Sequence, residues 1–443
     1  VHTHQARTAG GASEPGPRVA DVIRAFAADW GRRHALTTEQ LRVLAHIQMC
    51  HTPALGGHLE VCEACGLRQS VYHGCRDRHC PSCQSLAQAK WVQQRSAAVL
   101  PVPHFHVVFT LPSPLRPVVH ANRELLFGML FESASSTLLL LGRDPNHLGA
   151  QLGITAVLHT WTREMLFHPH LHCIVTGGGL CADGSSWVAL RDPDFLFHVD
   201  VISALFRHRF LCALTDAYRR GNLRLEGRCA ALQDQDVFQQ LLDALQAAPW
   251  VTYAQAPESG PGNLLQYLGR YTYRVAISDQ RLVRVDSHTV TFLTKDGNTC
   301  TLDGHDFVYR FVQHILPAGF VKLRHYGLYA SGNVRTRLAK ARALLEPAQL
   351  PPRTDTNPDS DEDEPSAAPD VPLTKPDATS TDTSIRERIP PWQRTLEQLT
   401  GQDLSRCPRC GRHSLHRLPL PIPAQPLAQA RCRSPPTSAW LPS

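Results

Sequence analysis

HPHLHCIVTGGGL, residues 168–180, opens with histidines alternating with other residues, a period of two through Cys173 in a strand expected at 170–176. That period predicts a strand, with His170 and His172 projecting from one face and Leu171 and Cys173 turned toward a core. Two imidazoles on one rigid strand form a natural seat for a metal ion. A third ligand has to come from elsewhere; Glu164, His159, His168 and Gln266 are the candidates. Glu164 is the choice that suits Mg2+ or Mn2+, because hard cations take carboxylate oxygen. Gly177, Gly178 and Gly179 mark a tight turn or a close approach of another backbone. They are not followed by the Lys-Ser/Thr of a phosphate-binding loop, and no such nucleotide motif occurs in the chain, which argues against an ATP-driven motor.

Outward from this strand, β-branched and aromatic runs predict further strands at 105–111, 154–160, 251–253, 282–285 and 289–293. Helical spacing of apolar residues predicts two helices within 19–49, the second capped by Thr37 or Thr38. More helices are expected at 87–100, 121–141, 201–220, 234–247, 263–273 and 303–314. The mixture gives an α+β class, an antiparallel sheet flanked by helices. Within 263–273, Tyr267 and Tyr271 lie four apart and share one helix face, with Arg270 and Arg274 beside them. A tyrosine hydroxyl, with its pKa of about 10, is a weak nucleophile. A nearby metal that polarises a phosphate makes its attack feasible.

The chain has 14 cysteines, six of them between Cys50 and Cys83. In CHTPALGGHLEVCEACGLRQSVYHGCRDRHCPSCQ (50–84), Cys62-x2-Cys65 and Cys80-x2-Cys83 are two knuckles whose thiolates can close a tetrahedral zinc site. Cys50, His51, His58, Cys75 and His79 remain for a second site, with ligands shared or exchanged. Arg76 and Arg78 beside the module suit phosphate contacts, as do Lys322, Arg324, Arg335, Arg337 and Lys340 in a later stretch free of acids. His325 and Tyr326 could stack on bases. Near the C-terminus, Cys407 and Cys410 form half of a knuckle pair and could recruit His413, His416 or Cys432.

The 443 residues carry a net charge of +6 and are 42% hydrophobic, enough for more than one core and compatible with a nucleic-acid partner. No apolar run reaches the length of a membrane span, and the start lacks a signal-peptide core, so a cytoplasmic protein is expected. Three regions follow: a helical and zinc-binding part at 19–100, a larger α+β part at 101–345, and a tail at 346–443. The tail's acidic, Pro-rich run PPRTDTNPDSDEDEPSAAPD cannot bury apolar area and predicts disorder around a possible CxxC knuckle.

The ordered blocks FHVVFTLP, VLHTW, HPHLHCIVTGGGL, YLGRYTYRVAIS and FVKLRHYGLYA, behind a Cys/His module, resemble rolling-circle transposases of the insertion-sequence-ninety-one type over residues 20–345. These belong to the His-hydrophobic-His single-strand endonucleases. The resemblance implies that His170 and His172 are the metal-binding pair and that Tyr267 and Tyr271 are the catalytic tyrosines. It implies that Cys62, Cys65, Cys80 and Cys83, with Cys75 and His79, fall in the zinc-binding pattern. The activity implied is cleavage and rejoining of single-stranded DNA at mobile-element ends and at the target site, through a 5′-phosphotyrosine. Structural Zn2+, a catalytic Mg2+ or Mn2+, and indirect use of the host replication machinery go with it. Two other functions fit parts of the pattern: a plasmid relaxase or replication initiator with the same chemistry, and a non-enzymatic zinc-dependent DNA-binding protein.

Overall fold

The computed structural model describes residues 16–84, 87, 88, 91, 99–250, 252–255, 275–295, 297–346, 397, 403 and 405–422. The predicted helix at 263–273, with its two tyrosines, lies outside the described residues; of the helix predicted at 87–100, Ala87, Gln88 and Trp91 are described and helical, while Val99 and Leu100, just before Pro101, are described and not helical.

A five-stranded antiparallel sheet forms the centre. Its members are β3 (His104–Thr110), β5 (Gly153–Trp161), β6 (Phe167–Thr176), β9 (Thr252–Gln255) and β13 (Leu323–Gly327), in the order β13-β5-β6-β3-β9. The period of two sorts the side chains. Phe105, Val107 and Phe109 on β3, Ile154, Ala156 and Leu158 on β5, and Leu171, Cys173 and Val175 on β6 all enter one buried core. Two long helices cover that face. They are α4 (Arg123–Arg143), preceded by the short α3 (Arg116–Ala121), and α5 (Val199–Arg219), followed by α6 (Gln235–Ala247). By length and composition α4 could cross a membrane, but its Leu126, Phe127, Leu130, Phe131 and Leu138 are fully buried in this core. The class is thus the expected one, an antiparallel sheet flanked by helices.

The glycine run works by close approach. Gly178 and Gly179 belong to β7 (Gly178–Cys181), the middle of a small sheet between β4 (Ala150–Gln151) and β8 (Trp187–Ala189). A Cβ on Gly178 would meet Val188 O at 2.7 Å, and one on Gly179 would meet Gln151 O at 2.7 Å, so neither position has room for a side chain.

A second core joins sequence-distant parts. The helices α1 (Val19–Arg33) and α2 (Thr38–Met49), the latter capped by Thr37, pack with Val275, Ala276 and Ile277. They also pack with β10 (Leu282–Val285), β11 (Thr289–Leu293) and α7 (Gly304–Val312), while β12 (Thr299–Asp303) completes that sheet beside β11. Cys50 and Cys80 lie inside this core. The cysteine-rich segment forms the hairpin β1 (Gly57–Cys62) and β2 (Arg68–Tyr72). A third strand, β14 (Leu415–Leu420), pairs with the other edge of β1. The tail therefore contains an ordered strand that composition did not anticipate; helix α8 (Arg337–Leu345) precedes it.

Candidate metal centres

On the sheet face opposite α4 and α5, the register sets His159 of β5 directly across from His170 of β6. His172 follows two residues on, so ring nitrogens of His159, His170 and His172 all lie within 4.8 Å of one another. Of the four residues considered for a third ligand, His159 is the one this group contains among the described residues, and Glu164 is not part of it. The hairpin joining β5 to β6 turns tightly, with Thr162 Oγ1 accepting from the backbone N–H of Glu164 and Leu166. That places Glu164 at the exposed tip, where its carbonyl accepts from Arg310 at 2.7 Å, and its carboxylate is not among the grouped ligands.

A hydrogen bond defines the tautomer of His170. The carbonyl of His168 can only accept, so His170 Nδ1 donates to it at 2.7 Å, which leaves the Nε2 lone pair for a metal. His172 Nδ1 is 2.8 Å from Nε2 of His106 on β3, so one of these two rings donates to the other and His106 orients His172. Burial pushes the imidazolium of His170 down to about 4, that of His106 to about 4, and that of His172 well below its ordinary value, so the rings are neutral at physiological pH. A cavity of about 280 Å3 opens over the group, walled also by Trp161, Arg163, His168 and Arg281. Ala276, Ile277 and Ser278 complete the wall. They stand almost at the start of the stretch described after the tyrosine segment.

The cysteines assemble differently from the linear pairing of knuckles. Cys50, Cys75, Cys80 and Cys83 make one group and Cys62, Cys65, Cys407 and Cys410 another. The hairpin β1–β2 turns the first knuckle away from the second, and Cys50 at the end of α2 meets Cys80 and Cys83 instead. In the first group the Sγ–Sγ separations are 3.5 Å for Cys50–Cys83, 3.6 Å for Cys50–Cys80 and 3.8 Å for Cys75–Cys83. A tetrahedral ion with Zn–S bonds of about 2.3 Å requires sulfurs about 3.8 Å apart. A disulfide would need about 2.05 Å. The group fits Zn2+.

His79 is not in either group. Its Nδ1 donates to Asp77 at 3.1 Å and its Nε2 accepts from the Leu316 N–H at 3.2 Å, so both ring nitrogens are occupied in a buried strut. Its neighbour Arg78 donates to Pro317 O at 2.9 Å and Phe320 O at 2.6 Å. These two residues, expected to bind metal and DNA, fasten the cysteine module to the loop before β13.

The other expected DNA contacts divide in the same way. Arg337 donates to Cys181 O and Ala182 O, and Arg324 stacks over Phe131, 4.3 Å from its centroid. Burial, with Arg78 close by, lowers the Lys322 ammonium to about 7. His325 is tied to Thr155 at 2.9 Å, and Tyr326 packs against the main core. Arg76, Arg335 and Lys340 are exposed. Tyr267, Tyr271, Arg270 and Arg274 lie outside the described residues. Sequence reading passed over His106, although its place two residues from His104 in a period-two strand sets both on the histidine face.

A family model described as "Putative transposase" matches residues 153–337, and one described as "Transposase zinc-binding domain" matches residues 22–111. "Putative transposase y4qJ" of Sinorhizobium fredii (strain NBRC 101917 / NGR234) is 39% identical over 402 residues, covering 89% of this chain and 93% of that protein. "Transposase for insertion sequence element IS801" of Pseudomonas savastanoi pv. phaseolicola is 28% identical over 327 residues, 70% of this chain and 76% of that one. No solved structure matches.

Proposed function

The chain belongs to the insertion-sequence-ninety-one type transposases, and from that premise we propose that it cuts and rejoins single-stranded DNA at mobile-element ends through a covalent phosphotyrosine. The observation that carries this reading is the group His159, His170 and His172 in a cavity whose wall includes Ala276, Ile277 and Ser278. Tyr271 is five residues before Ala276, which at full extension of the chain keeps their Cα atoms within about 18 Å. We place the nuclease in residues 101–345 and the zinc module in 19–100.

The three imidazoles fit a divalent transition ion. With Glu164 outside the group, an all-nitrogen set favours Mn2+ or a later ion over Mg2+. Such an ion, when bound, polarises the scissile phosphate. Tyr267 or Tyr271 then attacks phosphorus through its Oη. The P–O3′ bond breaks, the tyrosine's proton passes to the leaving oxygen, the 5′-phosphate stays on the tyrosine and a free 3′-OH departs. Rejoining is the reverse attack by a 3′-OH, which needs no nucleotide because the phosphotyrosine conserves the bond. Arg163 and Arg281 on the cavity wall supply positive charge near the phosphate, and exposed Arg76, Arg335 and Lys340 are the backbone contacts. The 3′-OH is a substrate for the host replication machinery.

The test is a denaturing gel of protein incubated with single-stranded DNA from the element's end. A covalent adduct forms with Mn2+ and is absent with chelator, and Tyr267→Phe and Tyr271→Phe each tell which hydroxyl carries the strand. Folded, zinc-loaded protein that gives no adduct overturns the reading.

His106 sets the orientation of His172. Phenylalanine at 106 keeps a ring of similar size and removes the hydrogen bond. Affinity for Mn2+ should fall by about 10–100-fold, as for other outer partners of ligating histidines. Calorimetric titration reads the change, and unaltered affinity would show that His106 merely packs.

A further inference from the structure

Two segments 345 residues apart in numbering share a motif, Cys62-Glu-Ala-Cys65-Gly66 and Cys407-Pro-Arg-Cys410-Gly411. They also share a backbone. Gly66 N–H donates to Cys62 O at 2.9 Å, and Gly411 N–H donates to Cys407 O at 2.9 Å. Cys62 N–H donates to Leu67 O and Cys407 N–H to Arg412 O, both at 2.9 Å. The glycines have φ of 70° and 72°, a left-handed conformation that side-chain-bearing residues rarely adopt. Each segment is thus the same tight knuckle, which holds two thiols side by side.

The two knuckles face each other. Cys62 and Cys410 are 3.7 Å apart at sulfur, and Cys65 and Cys407 are 3.6 Å apart. All four sulfurs lie within 4.8 Å of one another. This is again the separation of about 3.8 Å that a tetrahedral ZnS4 site demands. The surroundings hold the pairs in place. β14 runs antiparallel along β1 from Gly57↔Leu420 to Cys62↔Leu415. Glu63 N–H donates to Ser414 O at 3.1 Å, Arg417 pairs with Glu60 at 3.0 Å, and Ser414 Oγ is 3.0 Å from Cys62 Sγ. The matching zinc-binding domain ends at residue 111, so the Cys407/Cys410 half lies beyond it.

We propose that Cys62, Cys65, Cys407 and Cys410 bind a second structural Zn2+, which fastens the C-terminal strand to the N-terminal module. The ion replaces four thiol protons, which go to solvent, and no redox partner is involved. It makes the tail a part of the module, tethered at both ends of the acidic stretch.

The intact zinc-loaded protein tests this without a mutation. Cys410 is exposed, as is Cys212, which belongs to neither cysteine group found among the described residues. Under native alkylation followed by mass spectrometry, a metal-bound Cys410 should react at least about tenfold more slowly than Cys212, and the two should equalise after chelation. Equal rates while zinc is bound overturn the proposal. Metal counting supplies the second measurement. The Cys62→Ser/Cys65→Ser and Cys407→Ser/Cys410→Ser proteins should each hold one zinc fewer than the wild type. The protein with all four serines should lose no more than either. Additive losses, or none, mean that the pairs do not share an ion.

Discussion

Alanine at His170 and His172 together should remove the metal-dependent strand cleavage proposed above, with the rate falling by about a thousandfold or more. The magnitude follows from the task of the site. A bound divalent ion contributes several kcal/mol to stabilising charge on the phosphate in flight, and each 1.36 kcal/mol is a factor of about ten in rate. The double variant keeps one of the three grouped imidazoles, His159, too few to retain the ion at working concentration. The fold should survive, because β6 is held by Leu171, Cys173 and Val175 on its other face, and these are untouched. Far-UV circular dichroism and zinc content serve as controls. His168→Ala is the informative comparison: the backbone carbonyl of that residue, not its ring, orients His170, so deletion of the ring should cost far less. If the double variant cleaves at the wild-type rate in Mn2+, the histidine face is not the catalytic centre.

How far the site could be read in advance depended on range. The sheet was legible because its strands keep a strict period of two: Phe105, Val107 and Phe109 face one way and His104 and His106 the other. His170 and His172 followed from two positions of one strand. His159 could only be a candidate among several, because its place opposite His170 depends on the register of the β5–β6 hairpin, which the five-residue turn at 162–166 sets. The cysteines show the limit most clearly. Spacing joins Cys62/Cys65 to Cys80/Cys83, the nearest pair along the chain. The chain instead brings Cys407 to Cys65 across 342 positions and Cys50 to Cys83 across 33. The hint lay in the glycine that ends both CEACG and CPRCG but is missing from CPSCQ. Positive charge was the least informative signal. Arg78 and Arg337 have the composition of phosphate contacts, yet their guanidinium groups donate to backbone carbonyls of distant segments and so cross-brace the fold.

Serine at Cys80 should cost more stability than any surface change, because this cysteine is both a thiolate of the first group and a member of the second core. Cys80 is 1% exposed, its sulfur is 3.6 Å from Cys50, and around it pack α1, α2 and α7. Serine's shorter, harder oxygen is a poor match for a ZnS4 site, and without the ion it leaves a buried hydroxyl among apolar side chains. Apparent zinc-binding energies of small zinc domains reach about 10–16 kcal/mol, an upper bound here because α1 and α2 also lean on β10, β11 and α7. A loss of about 4 kcal/mol is expected, which for a unit of this size lowers the thermal midpoint by roughly 8–16 °C. The loss has a direction through the fold. His79, next to Cys80, accepts from Leu316 N–H, and Arg78 holds Pro317 and Phe320, so loosening the module frees the loop that leads into β13. Hydrogen exchange should therefore rise at 19–47 and at 315–322, while β3 and β6 stay protected by the separate core beneath them. One zinc should be lost from the protein along with this. An unchanged midpoint with full zinc content would mean that the cysteines of the first group pack as thiols and that the module is held by apolar contacts alone.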